Sequence, residues 1–132
     1  MGTPAERPWR LYGRVLLACL YLLAGVLHLW VPRPFLGITP AWVPHPEMVI
    51  ALTGACEIAG AIGLFTVRLR KFAGAMLALY ALCVFPANVQ HAVQDLSTGT
   101  GLGWVYHVPR LFAQPLLCWW ALWAAGPWQP RR

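Results

Sequence analysis

Residues 48–67 read MVIALTGACEIAGAIGLFTV: twenty residues with a single charge, Glu57, and no proline. At 1.5 Å per residue, twenty residues make a helix of about 30 Å, the thickness of bilayer hydrocarbon. Strands that cross a bilayer are about 9–11 residues long and alternate in polarity. This stretch does neither, so it reads as a membrane-spanning helix. Three further stretches share its character, over about residues 11–31, 72–93 and 108–125. The expected fold is therefore all-α, a four-transmembrane-helix bundle forming one domain over residues 1–132.

Composition points the same way. Of 132 residues, 59% are hydrophobic and 11% charged, whereas soluble domains carry roughly 25% charged residues. So few charges cannot cover a water-facing surface. A disordered tail, a coiled coil, a disulfide scaffold and an ordinary soluble enzyme are all excluded. The net charge of +6 does not signal nucleic acid, because the basic residues flank apolar runs instead of forming a polar face interleaved with aromatics. The first apolar run is too long for a signal peptide and lacks a small-x-small cleavage pattern, so it is expected to be retained.

Orientation follows from Lys and Arg. With four spans, Arg7, Arg10, Arg14, Arg68, Arg70, Lys71, Arg131 and Arg132 fall on one side, and Arg33 and Arg110 on the other. Positive residues collect on the cytoplasmic side. Both termini are thus expected in the cytoplasm, and the chain in the bacterial cytoplasmic (inner) membrane as a multi-pass protein. The outward connection from Pro32 to Glu47 holds five prolines and cannot be helical throughout. Its Phe35, Ile38, Trp42 and Val43 suggest a cap lying in the interface. The second outward connection, from Gln94 to His107, is Gly-rich and is expected to be a mobile hairpin.

Polar residues inside the spans carry the functional signal, because a charge at the bilayer centre costs about 2.5–3.5 kcal/mol or more. Glu57 is the deepest. Helical phase at 100° per residue groups it with Thr53, Gly54, Gly60 and Ala61, a small-residue stripe that lets a neighbouring helix come close. Asn88 shares a face with Ala81, Phe85 and His91. Arg110 aligns with His107, Gln114 and Leu117, and His28 with Tyr21, Ala24 and Gly25. His28, Glu57, Asn88, Arg110 and Gln114 are therefore the candidate ligand- or proton-handling residues, in a polar pocket opening outward. A lone carboxylate at this depth must protonate or find a partner. Arg110 is expected to meet Glu57, directly or through Gln114 and water. The alternative is a polar network that only fixes helix register. Pro86 is expected to free the carbonyl of Leu82 and shape the pocket. No two histidines are spaced i, i+4, so no metal site is expected. Cys19, Cys56, Cys83 and Cys118, one per span and without a CxxC pair, are expected to pack as small apolar residues.

Taken in order, several of these stretches resemble the DoxX family of small bacterial four-helix membrane proteins. They are His28-Leu29-Trp30 followed by Pro32 and Phe35; ITPAWVPHP at 38–46; GACEIAGAIGL at 54–64; FPANV at 85–89; and RLFAQ at 110–114 followed by Trp119-Trp120. The resemblance covers about residues 15–123. His91 and His107 lie outside its pattern, and Phe112-Ala113 departs from it. It implies a four-helix bundle and association with membrane oxidoreductase complexes.

Two functions are carried forward. In the first, the pocket holds a quinone-type or other small apolar ligand, and the protein serves a redox partner. No cofactor attachment motif is present and no cofactor is evident; a quinone is the one that this function would admit. In the second, the protein is a non-catalytic membrane protein that binds lipid or a client segment and assists assembly. The residues do not decide whether the protein is an enzyme. A transporter ranks lower for want of an inverted repeat. The lipid bilayer is a partner under either function, nucleic acid is not, and Trp119, Trp120 and Trp123 offer a surface for lipid or a second copy.

Overall fold

Proline opens three of the helices. It has no N–H to leave unpaired in a first turn, and its fixed φ suits that position. A computed structural model describes residues 6–127. Its helices are α1 (Pro8–Trp30), α2 (Arg33–Ile38), α3 (Pro46–Phe65), α4 (Arg70–Thr98) and α5 (Trp104–Ala125). Pro8, Pro34 and Pro46 stand in the first turns of α1, α2 and α3. Among the described residues there is no strand. The fold is all-helical, with five helices instead of the expected four. The extra one, α2, lies in the proline-rich connection, where the chain turns helical for six residues before Thr39 becomes extended.

The four long helices close a ring: α1 packs on α3, α3 on α4, α4 on α5, and α5 on α1. Helices α1, α3 and α4 are long and apolar enough to cross a membrane. The 22-residue α5 is of similar length but carries the polar His107, Arg110 and Gln114 among its apolar residues. Large apolar side chains such as Leu16, Leu23, Ile62, Leu79, Phe112 and Leu122 point outward, as a lipid-facing surface requires.

Small residues set the helix separations. A Cβ on Gly25 would lie 2.7 Å from the Gly54 carbonyl oxygen, and a Cβ on Gly54 2.9 Å from the Gly25 oxygen. Here the backbones of α1 and α3 touch, as small-residue stripes permit. One end of the bundle is close-packed by Leu17, Ala18, Ala61, Leu64, Leu77, Ala121 and Ala124. Nearby lies a charge that the sequence placed at the interface. Arg14 is 1% exposed; its Nε donates to the Ala124 carbonyl at 3.0 Å, and its guanidinium pairs with Glu6. Arg70 approaches Glu6 at 3.9 Å. The hydrogen bond from Arg14 holds the Glu6 carboxyl below the usual carboxylate range. These contacts bring the start of α1 and the end of α5 together. Arg131 and Arg132 lie outside the described residues.

Two expectations are corrected. The Gly-rich connection is not a long hairpin. Helix α4 runs on to Thr98, and a short turn with Gly99 and Gly101 at positive φ leads into α5. Asp95 ties that turn down by accepting from Leu102 N at 2.9 Å. The cysteines do not fill the interior: Cys19, Cys56 and Cys83 are exposed, and Cys118 is half-buried with its thiol toward the Ala78 carbonyl. The Trp120 indole donates to the Gly13 carbonyl at 3.0 Å, while Trp119 stacks on Trp123 with ring centres 6.0 Å apart.

Candidate functional site

At the end of the bundle opposite the close-packed core, the helices separate around a cavity of about 600 Å³. The second half of α1, the first halves of α3 and α5, and the middle of α4 form its walls. Phe35 and Ile38 of α2 and the following Pro40, Trp42 and Val43 form its cap. The cap is held at two points. Phe35 stacks on His28 with ring centres 3.9 Å apart, and Trp42 Nε1 donates to Gln90 Oε1 on α4 at 3.1 Å.

His28, Glu57, Asn88, Arg110 and Gln114 all line this one cavity, among mostly apolar side chains. Glu57 is 3% exposed. It is fixed by the stripe that includes Gly54, which brings α1, and with it His28, against α3. His28 Nδ1 lies 2.8 Å from Glu57 Oε2, an ion pair only when the imidazole is protonated. The ring N–H is directed instead along α1 to the Ala24 carbonyl, also at 2.8 Å. Glu57 Oε2 is therefore buried with no well-directed hydrogen bond, His28 Nδ1 being its near neighbour. Tyr80 and Thr53 stand beside it on the cavity wall. Gln114 Nε2 donates to the Ala81 carbonyl at 2.8 Å, one residue before the carbonyl that Pro86 was expected to free.

The expected pairing of Arg110 with Glu57 is not made. Arg110 Nη1 donates to His91 Nδ1 at 2.8 Å, and its guanidinium lies over the Tyr106 ring at 5.4 Å. Gln114 likewise bridges nothing to Glu57. The cause is the packing order: α5 sits between α4 and α1, so its polar face meets α4 before it can reach α3 across the bundle. Helical phase fixes which residues share a face but not which neighbour that face meets.

A second polar cluster adjoins the cavity beyond Arg110. His91 Nε2 and His107 Nε2 lie 3.2 and 3.0 Å from the same oxygen, Asp95 Oδ2. The ligand-type atoms of all three residues fall within 4.8 Å of one another. Asp95 was not among the candidates, and the two histidines were set aside. The signal was present as His91 and Asp95 one turn apart on α4, which a search restricted to histidine pairs passes over.

Comparison with curated proteins and with solved structures finds no match. A family model does match, over residues 17–125, and it is not that of DoxX. That resemblance is corrected. It rested on short runs of glycine, alanine and proline around single polar residues, which recur wherever helices pack closely about a polar cavity. The chain belongs to the family described as a domain of unknown function, DUF8561.

Proposed function

We propose that this protein binds a small, mostly apolar, membrane-soluble molecule with a polar ring or head, of quinone or quinol type, in the cavity bounded by His28, Glu57, Asn88, Arg110 and Gln114. On this reading α1, α3, α4 and α5 all cross the bilayer. Arg7, Arg10, Arg14, Arg68, Arg70 and Lys71 lie at the cytoplasmic end and the capped cavity at the other, in keeping with the positive-inside rule.

The observation that carries the proposal is Glu57, a carboxyl group buried on the wall of an apolar cavity whose Oε2 makes no well-directed hydrogen bond. Leaving such a group unpaired costs about 1–3 kcal/mol or more. A ligand hydroxyl would relieve that cost. Asn88 and Arg110 offer N–H donors to a ligand oxygen on the other side of the cavity. The volume lies within the roughly 300–1,000 Å³ of small-molecule sites. A ligand that binds only the folded state raises thermal stability. Decylubiquinone, decylubiquinol or menadione added to detergent-purified protein is expected to raise its melting temperature in proportion to the logarithm of concentration. No rise with any of the three would remove the proposal.

A further inference from the structure

We propose that His91, Asp95 and His107 form a binding site for one zinc-type divalent transition-metal ion, and that filling it releases Arg110 from His91 into the cavity. The donor set comes first. Two imidazoles and a carboxylate suit zinc, cobalt or nickel better than magnesium or calcium, which favour all-oxygen sites. Bonds of about 2.0–2.2 Å to a tetrahedral zinc put ligand atoms about 3.4 Å apart. The two imidazole–carboxylate separations, 3.2 and 3.0 Å, are close to that. The carboxylate is also held in place. Asp95 Oδ2 accepts from Leu102 N, and Gly101, at φ +84°, lies so near that a Cβ there would fall 2.6 Å from Asp95 Cγ. The turn between α4 and α5 is thus wrapped around the carboxylate before any ion arrives.

The tautomers supply the link to the cavity. Arg110 can only donate, so His91 Nδ1 must accept, and the His91 proton sits on Nε2, toward Asp95. A metal needs that Nε2 lone pair. The His91 proton must then move to Nδ1, where it would face the guanidinium donor, and Arg110 must leave. Its own side chain already lines the cavity, so that is where it can turn. His107 meets no such obstacle. Its Nδ1 is buried without a partner, so moving its proton there gives up only the Nε2–H bond to Asp95 Oδ2, which the ion replaces. Each ring keeps one proton throughout, and the ion is bound by two neutral imidazoles and a carboxylate.

The test is a titration of chelator-treated, detergent-purified protein at pH 7.5 with Zn²⁺ by calorimetry and with Co²⁺ by visible absorption. One ion per chain is expected, with the absorption band of a nitrogen- and oxygen-ligated cobalt. His91→Gln and Asp95→Asn are expected to weaken binding by at least the roughly 10–100-fold that loss of an outer-shell partner costs. Arg110→Gln removes the competing cation and is expected to bind at least as tightly as the wild type. His107 is buried, where replacement endangers folding, so His91→Gln, at a partly exposed position, carries the test. Absence of saturable binding, unchanged affinity in both His91→Gln and Asp95→Asn, or Mg²⁺ binding as tightly as Zn²⁺ would overturn the site. Weaker metal binding in Arg110→Gln would overturn the release of Arg110.

Discussion

At the scale of single residues, the sequence marks which side chains are costly and leaves open how each cost is met. Glu57, Asn88, Arg110, Gln114 and His28 stand out because polar groups are rare in apolar spans, and the same five line one cavity. Their partners were not legible, because Glu57 faces α1 and Arg110 faces α4. Arg14 was missed for a different reason. A basic residue near the start of a span looks like an interfacial anchor, and nothing local shows that Glu6 folds back onto it. Gly25 carries a direct prediction. A valine there would press on the Gly54 carbonyl and on Ile58, and overpacking of this kind costs about 1–3 kcal/mol. Gly25→Val should lower the melting temperature, while Gly37→Val, where a Cβ meets nothing within 4 Å, should leave it nearly unchanged. Glu6 carries another. Its carboxyl is held below its ordinary value by Arg14, so its contribution is present at neutral pH and lost as pH falls through the lowered folded value. Glu6→Gln should lower the melting temperature at neutral pH and flatten its decline in acid. The effect should be small, because the Glu6 side chain is 38% exposed.

At the scale of elements, the spans were legible and their ends less so. The expected 11–31, 48–67, 72–93 and 108–125 correspond to α1, α3, α4 and α5, yet α4 and α5 extend further toward each other. Hydropathy ends where Gln94 and Asp95 begin, but the helix does not: it runs on to Thr98 and places Asp95 one turn beyond His91. The short α2 shows the same limit. Prolines exclude a continuous helix over 32–47, but proline at a first helical position favours a brief one. The cap that α2 and its turn build rests on the Trp42–Gln90 hydrogen bond and the Phe35–His28 stack. Trp42→Phe keeps the apolar wall and removes the bond, worth about 0.5–1.5 kcal/mol. It should speed release of a bound quinone analogue several-fold in stopped-flow measurements with little effect on melting temperature. Unchanged release would show that the cap is not held through Trp42.

At the scale of the whole molecule, the bundle divides into a close-packed half and a hollow half. The alanine and leucine core excludes any ligand from the end bearing most of the basic residues. The cavity, its cap and the His91–Asp95–His107 cluster all gather at the other end. Orientation can be tested on exposed positions. With Cys19, Cys56, Cys83 and Cys118 replaced, Ser97→Cys should react with a membrane-impermeant maleimide on intact cells, and Arg68→Cys should react only after lysis. The reverse pattern would invert the proposed topology.

The central claim is that Glu57, with no well-directed hydrogen bond to Oε2, accepts one from a ligand hydroxyl. Calorimetric titration of decylubiquinol and decylubiquinone into wild-type protein and Glu57→Gln tests it most directly. Quinol should bind one to one and lose about fivefold or more in Glu57→Gln, the difference of about 1 kcal/mol between charged and neutral acceptors, while quinone, which has no hydroxyl to give, should change little. Equal quinol affinity in the two proteins, or no quinol binding in the wild type, would contradict the claim.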